Sequence, residues 1–319
     1  SGLLTGTGSL FTGRWVLMGK SPLTGGYGES NCGGNLSPGI KRCGYDGIFF
    51  SGISEKPVYL HIKNNKAELR DASHLWGKDA FETEEWLVTE LRDKRKPKVA
   101  CIGQAGEKLS LISGVSNDMG RMAARSGLGA VMGAKRLKAL VLDGSKRIEV
   151  DNKFEIKGLS RKCLNWVMFQ PRSLSDRGVR ILTPLLRYLP IQMAMDGVLF
   201  KIMLRKWGTV SINQYSAELG DSPIRNWGGS NLDFRKDKSG AINPDAIIAT
   251  EIAKYHCYSC PLGCGGICRG NYSSGEGHKP EYESVMALSG LTLNSDLDSL
   301  FQMNDMLNRA GMDTISAGG

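Results

Sequence analysis

The sequence predicts an α+β chain, β-rich to about residue 148 and mainly helical beyond it. Three observations carry this. Short apolar runs separated by glycine and asparagine fill residues 1–148, the pattern of strands and tight turns. After Lys146-Arg147-Ile148-Glu149-Val150 the apolar spacing turns helical and stays so through about residue 208. Then one stretch, His256-Cys257-Tyr258-Ser259-Cys260-Pro261-Leu262-Gly263-Cys264-Gly265-Gly266-Ile267-Cys268, gathers half of the eight cysteines into twelve positions. The expected domains are therefore 1–148 and 149–319.

A chain of 319 residues, 41% hydrophobic and 23% charged, has the composition of a globular protein large enough for two domains. Its net charge of +9 admits a polyanion. The clearest basic run, Lys94-Arg95-Lys96-Pro97-Lys98, follows a helical pattern and reads as its solvated end, which weighs against nucleic acid. The opening Ser1-Gly2-Leu3-Leu4 carries no secretory signal. The apolar stretch Leu185–Leu204 is broken by Arg187, Pro190, Asp196 and Lys201, too polar to span a bilayer. A cytoplasmic location follows, with Cys32, Cys43, Cys101 and Cys163 as small buried hydrophobes in a reducing compartment. Both ends are expected to be cut from something larger.

Taken in order, Arg14-Trp15-Val16-Leu17-Met18 and Gly47-Ile48-Phe49-Phe50 predict strands. Ser21–Gly28 and Ser30–Gly34 predict turn-rich loops whose amides suit phosphate or a polar heterocycle, or else plain hairpin loops. Val58–Ile62 and Ala67–Arg70, split by Asn64-Asn65, predict a hairpin. A helix is expected over Ala80–Asp93, then strands at Val99–Gly103 and Leu109–Ile112. In Gly120–Gly133, Arg121 and Arg125 lie four apart, on one face of a predicted helix, and guanidinium groups suit phosphate. The small residues after them would let backbone approach a ligand. The glycines there miss the dinucleotide fingerprint by one residue and precede a strand, Leu137–Leu142, instead of following one. Residues 220–244 predict a long connection, Asp245–Tyr255 a helix, and Pro280–Leu288 another. Ser295-Asp296-Leu297-Asp298 has the form of a capping box, and Gly311 of a helix C-cap.

Cysteines spaced C-x2-C-x3-C, with proline and glycine bending the chain between them, can converge on one inorganic centre. An iron–sulfur cluster suits the spacing best; a structural zinc and a pair of disulfides remain open. With Cys268 and the basic surplus, a metal-stabilised nucleic-acid-binding module is the rival from another class.

The residues then reach a family. Lys20-Ser21-Pro22-Leu23-Thr24-Gly25, Gly44-Tyr45-Asp46, Lys56-Pro57-Val58-Tyr59, Arg70–Lys78, Gly127–Gly133, Cys257–Cys264, Pro280-Glu281-Tyr282-Glu283 and Asp313-Thr314-Ile315-Ser316 together resemble the aldehyde ferredoxin oxidoreductases, tungsten-pterin enzymes with considerably longer chains. The resemblance implies a β-rich base domain that binds a tungsten (or molybdenum) bis-pterin with Mg2+, followed by a helical domain carrying a [4Fe-4S] cluster. It implies Cys257, Cys260 and Cys264 as cluster ligands, the fourth lying outside this sequence; Cys268 has no counterpart. Arg14 would bridge pterin and cluster. Asn31, Gly33, Arg121, Met122, Ala123, Ala124 and Arg125 would surround the pterin phosphates and magnesium, and Asn308, Met312 and Asp313 the pterin.

Glu283 matches the family's active-site glutamate, a general base; from the residues alone it reads as an acid favoured by a helix N-terminus. The implied reaction oxidises an aldehyde to a carboxylic acid and passes electrons to ferredoxin or a similar acceptor. Another carbonyl or acyl substrate is the alternative, and a homodimer or accessory electron-transfer subunits stay open. Two departures stand out. Asn308-Arg309-Ala310-Gly311-Met312-Asp313 begins with Asn where the family often has Asp, so that contact loses a charge. Gln302 replaces a glutamate that holds an intersubunit metal in some members, so a metal-bridged dimer is not supported.

Overall fold

The computed structural model describes residues 1–93, 95–171 and 197–319, with positions 178 and 181. The backbone divides into two compact units. The first comprises 1–157, 257–260 and 303–317; the second comprises 158–256, 261–302 and 318–319.

The first unit begins with β1 (Trp15–Lys20) and β2 (Tyr27–Cys32), an antiparallel ribbon that pairs Trp15 with Cys32. Ser30-Asn31-Cys32, expected in a loop, is thus strand. Helix α1 (Leu36–Arg42) follows at once. It was not anticipated, because Pro38 and Gly39 disguise it as a turn. Gly47–Phe50, expected as strand, forms none; Phe49 is 99% exposed, so no buried face holds the run to a sheet.

Next comes the predicted hairpin, β3 (Val58–Lys63) and β4 (Lys66–Asp71), then α2 (Ala80–Glu90). A capping box starts α2: Glu82 N donates to Asp79 Oδ1 at 2.7 Å and Asp79 N to Glu82 Oε2 at 3.0 Å. Then follow β5 (Lys98–Cys101), α3 (Gln104–Glu107), β6 (Val115–Asn117), β7 (Arg121–Ala123), α4 (Leu128–Ala134) and β8 (Leu137–Asp143). Leu109–Ile112 is irregular, not strand; Leu109 and Leu111 are exposed, so no buried face holds them to a sheet. The strand lies at Val115–Asn117 instead.

The six strands run β4-β3-β8-β5-β6-β7, with β3 and β8 parallel and the other pairs antiparallel. The apolar stretch of β8 suits a central strand buried on both faces. Alternation along β5 shows the two faces. Val99 and Cys101 pack with Phe81, Leu87 and Val88 of α2, whereas Ala100 joins Trp15, Cys32, Leu36 and Ile40.

One buried charge pair stiffens this unit. Lys138, fully buried on β8, donates to Glu107 and, at 2.9 Å, to the Lys78 carbonyl, while Gly77 N donates to Glu107 Oε2 at 2.8 Å.

The second unit includes most of α5 (Lys153–Met168), none of whose residues is buried, α6 (Gly197–Trp207) and α7 (Asn213–Leu219). Cys163, on α5, is exposed and so is not the buried hydrophobe expected. Most of Leu185–Leu204 lies outside the described residues; among those described, no helix is long and apolar enough to cross a membrane. Residues 220–244 are an extended connection carrying only short turns and α8 (Lys236–Ser239).

Asp245–Tyr255 is not one helix. After α9 (Pro244–Ala249) the chain turns into β9 (Glu251–Tyr255), because pairing with β10 (Gly265–Arg269) overrides local helical spacing. β11 (Glu276–His278) completes that sheet and leads to α10 (Tyr282–Leu288). Helix α11 (Leu297–Ala310) is capped by Asp296, not Ser295: Asp296 accepts from Asp298 N and Ser299 N, both at 3.2 Å. Gly311, with φ 77°, ends it as expected, and α12 (Thr314–Gly318) follows.

Removing Lys138 while leaving Glu107 strands a buried carboxylate. Lys138→Met is expected to destabilise the first unit by about 3–5 kcal/mol, read by chemical denaturation; an unchanged midpoint would show that the pair is not held dry.

Candidate functional site

Gly33 is the meeting point of the first unit. A Cβ there would lie 2.7 Å from Cys257 Sγ and 3.2 Å from Arg121 Nη1, so glycine lets those two groups converge, with Arg14 Nη1 at an ordinary contact distance of 3.9 Å. Arg121 Nη1 donates to Cys257 Sγ at 3.0 Å. Arg14 donates through Nε to Asn31 Oδ1 and through Nη2 to the Asn31 carbonyl at 3.1 Å. Arg14 and Asn31 are exposed, while Arg121 and Cys257 are half-buried.

The cysteine turn is docked by backbone. Tyr258 N donates to the Gly34 carbonyl at 3.0 Å and Phe11 N to the Ser259 carbonyl at 2.9 Å. Cys260 N closes the turn on the Cys257 carbonyl at 3.0 Å, with Ser259 left-handed at φ 54°. The Arg42 guanidinium lies 5.9 Å from the Tyr258 ring centroid.

Beneath Gly33 is a polar underlay. Asn117 Nδ2 donates to the Gly33 carbonyl at 3.3 Å, and Cys32 Sγ donates to Asn117 Oδ1 at 3.1 Å. Burial pushes the Cys32 thiol up to about 12 despite Arg121 and Arg14 nearby. It therefore stays protonated beside the cysteine turn. Asp118 Oδ2 accepts from Asn35 N at 2.6 Å and from Asn35 Nδ2 at 3.2 Å, fixing the entry to α1.

Arg121 and Arg125 do not share a helix face. Arg121 begins β7, which pairs with β6, and Arg125 opens a 3-10 turn in which Ser126 is left-handed at φ 73°. Met122 pairs with Ser116 and Ala123 with Val115; Ala124 links the two elements. The glycines beyond pack closely on backbone. A Cβ on Gly129 would lie 2.5 Å from the Gly114 carbonyl oxygen and one on Gly133 1.9 Å from that of Gly106, so they let α4 pack on neighbouring backbone.

The Asn308–Asp313 segment is fastened to the loop before β6. Asp313 N donates to the Ile112 carbonyl and Gly114 N to the Gly311 carbonyl, both at 2.9 Å, while Met312 bridges Ser113. Asn308 is buried, and its carbonyl accepts from Gly311 N at 3.2 Å. The Asp313 carboxylate, 2% exposed, caps α12 by accepting from Ile315 N at 3.2 Å and Ser316 Oγ at 2.5 Å; Arg125 Nε lies 3.4 Å away.

Within the second unit Cys264 is half-buried ahead of β10, and Glu283 is exposed on the first turn of α10. Lys279, just before that helix, is buried, and donates to Glu251 and, at 3.1 Å, to the Trp207 carbonyl. Cys268 is buried within β10 and burial raises its thiol, so it behaves as a core residue. All eight cysteines are free thiols.

Among the described residues no three His, Cys, Asp or Glu side chains are gathered as a metal-ligand set. The donor chemistry nevertheless fits the expected groups. Soft thiolates on a tight turn suit iron and sulfide. Two guanidinium groups beside a glycine cradle suit the phosphate oxygens of an anionic cofactor. Asn35, Asn117 and Asp118 join the site beyond the expected residues, and Asn117-Asp118, just ahead of Gly120, is a turn signature that marks two of them.

Such a combination of arginines and cysteines suits the class of proteins that bind an anionic cofactor beside sulfur ligands. Comparison with known proteins makes it specific. The family model for the aldehyde ferredoxin oxidoreductase N-terminal domain matches residues 1–144, and that for domains 2 and 3 matches residues 192–319. The chain belongs to the aldehyde ferredoxin oxidoreductase family. It is 37% identical to the tungsten-containing aldehyde ferredoxin oxidoreductase of Pyrococcus furiosus, over 100% of this chain and 47% of that protein. It is 36% identical to the protein of the same name from Thermococcus kodakarensis, with the same 100% and 47% coverage. An aliphatic sulfonate oxidoreductase, WOR-like subunit, from Pyrococcus furiosus is 28% identical over 95% of this chain and 46% of that one. Among solved structures, the active-site complex BamBC of benzoyl coenzyme A reductase with 1,5-dienoyl-CoA matches with a TM-score of 0.78 and 29% identity, covering 99% of this chain and 45% of that one. The chain thus spans about half the length of the relatives it matches.

Asp118→Ala would leave the Asn35 amide unsatisfied at the root of α1. A loss of about 2 kcal/mol in unfolding free energy is expected, with Asp118→Asn losing less; equal stability of all three proteins would show that the clamp contributes nothing.

Proposed function

We propose that this chain is the cofactor-binding part of an oxidoreductase that oxidises an aldehyde to a carboxylic acid and passes the electrons to ferredoxin or a similar acceptor. The observation that carries this reading is the convergence of Arg14, Arg121 and Cys257 around Gly33 in a member of the aldehyde ferredoxin oxidoreductase family.

A tungsten or molybdenum bis-pterin with magnesium, when bound, supplies two-electron oxidation, and a [4Fe-4S] cluster supplies one-electron transfer. Cys257, Cys260 and Cys264 would hold the cluster. Arg14, Asn31, Gly33, Arg121, Met122, Ala123, Ala124 and Arg125, with Asn308, Met312 and Asp313, would hold the pterin and its phosphates. Arg121, already on Cys257 Sγ at 3.0 Å, would also offset negative charge arriving at the thiolate side.

An aldehyde hydrate that becomes a carboxylic acid gives up two electrons and two protons. Glu283 would take a proton as general base. Its exposure leaves the carboxylate open to a bound substrate.

A related reaction on another carbonyl or acyl substrate is the second reading. It is favoured by similarity to a protein named for aliphatic sulfonate and to a complex named for benzoyl coenzyme A.

In the full-length protein purified without oxygen, metal and pterin analysis should find tungsten or molybdenum, about two pterins and about four irons per chain. Glu283→Gln should keep that iron and lose aldehyde-dependent reduction of a low-potential dye by roughly 10²–10⁴-fold. Zinc without pterin, or full activity in Glu283→Gln, would refute the corresponding part.

A further inference from the structure

Glu84 is a carboxylate in an unusual place. It sits on the inner face of α2, 6% exposed, and its Oε2 accepts the Met119 amide at 2.8 Å. It does not serve α2 itself, whose capping box is made by Asp79 and Glu82. Among the described residues it makes no ion pair.

Its partner lies in the turn that joins β6 to β7. There Asp118 and Met119 are both left-handed, φ 48° and 59°, and Gly120 follows at φ 138°. Consecutive non-glycine residues in that region are unfavourable and persist only where surrounding contacts fix them. Two contacts do so here. Asp118 holds Asn35 on one side, and Glu84 takes the Met119 amide on the other. The turn then feeds directly into Arg121, whose Nη1 reaches Cys257 Sγ. A change in the turn therefore moves the root of the guanidinium that faces the cysteine loop.

We propose that Glu84 is a positioning residue which, through the Met119 amide, sets the Arg121 guanidinium against Cys257; this rests on reading the 257–260 turn as part of the cluster loop.

The groups that act on Glu84 are Asp118 from the turn, Lys96 just before β5, Lys98 at the start of β5, and Cys101 at its end. Burial pushes the Glu84 carboxyl up to about 7; the Met119 hydrogen bond, Lys96 and Lys98 pull down against it, and Asp118 adds to the rise. The ionised fraction, and with it the stronger charge-assisted acceptor for Met119 N–H, falls as pH drops from about 8 to about 6. The latch on the turn loosens toward acid.

The test uses the full-length, cofactor-loaded protein under anaerobic conditions. Hydrogen–deuterium exchange of the peptide spanning 117–121, corrected for the intrinsic pH dependence of exchange, reads the latch. A potentiometric titration followed by electron paramagnetic resonance reads the cluster. At pH 8, Glu84→Ala should exchange at least about tenfold faster at the turn than wild type, and its cluster potential should fall because a hydrogen bond to a ligand sulfur is lost. Glu84→Gln, which keeps an acceptor but cannot titrate, should retain the wild-type potential and lose the difference in turn exchange between pH 6 and pH 8.

Wild-type exchange at the turn in Glu84→Ala would overturn the proposal whatever the iron content. Faster exchange with an unchanged cluster potential would overturn the coupling to Arg121. Iron-free protein would instead defeat the cluster reading, a distinguishable failure, because the exchange contrast at the turn still decides whether Glu84 holds it.

Discussion

The absence of a side chain at Gly33 is the constraint on which the first unit's site depends. Cys257 Sγ and Arg121 Nη1 crowd the space a Cβ would claim, and Arg14 Nη1 lies at ordinary contact distance from it. The residues that bring them there come from distant parts of the chain: Arg14 just precedes β1, Gly33 just follows β2, β7 opens on Arg121, and the cysteine turn arrives more than two hundred residues after the first strand. Partly burying a guanidinium beside a sulfur is costly unless it is hydrogen-bonded. Here the exposed Arg14 is held by Asn31, and Arg121 donates to the Cys257 sulfur. The fold's large sheet is therefore less a container than a jig. It fixes the β6–β7 turn, and the turn fixes Arg121.

Much of this was legible in the sequence, and for identifiable reasons. The hairpin β3–β4 and the strand β8 follow from alternation and continuous apolar runs, and the structure has them. The crowding of Cys257, Cys260 and Cys264 and the many ordered motifs pointed to the family, which the comparisons show. What failed was local reading where tertiary pairing decides. Arg121 and Arg125 at helical spacing sit on a strand and a 3-10 turn, because β7 completes the sheet edge against β6. Glu251–Tyr255 looked helical and is strand, because its partner β10 lies across the cysteine segment. Gly129 and Gly133 looked like ligand glycines and are packing glycines, a distinction that needs the neighbouring backbone at Gly114 and Gly106.

Polar residues beneath the site were the least legible. Glu84 carries no motif and Asn117-Asp118 only a turn signature, since all three act through hydrogen bonds to residues distant in sequence. Their value lies in satisfying amides and carbonyls at a place where loops, not regular structure, form the cradle. The same logic explains Asp313, whose carboxylate caps α12 while facing Arg125. One residue thereby ties the segment after α11 to the arginine loop.

The most direct test of the Gly33 cradle is iron content in Gly33→Ala, measured in the full-length protein purified without oxygen beside Gly158→Ala, where a Cβ meets nothing within 4 Å. With folding verified by circular dichroism, the cradle requires Gly33→Ala to lose most of its cluster iron while Gly158→Ala retains it. Full iron in Gly33→Ala would show that Cys257 and Arg121 need not converge there, and would contradict the account.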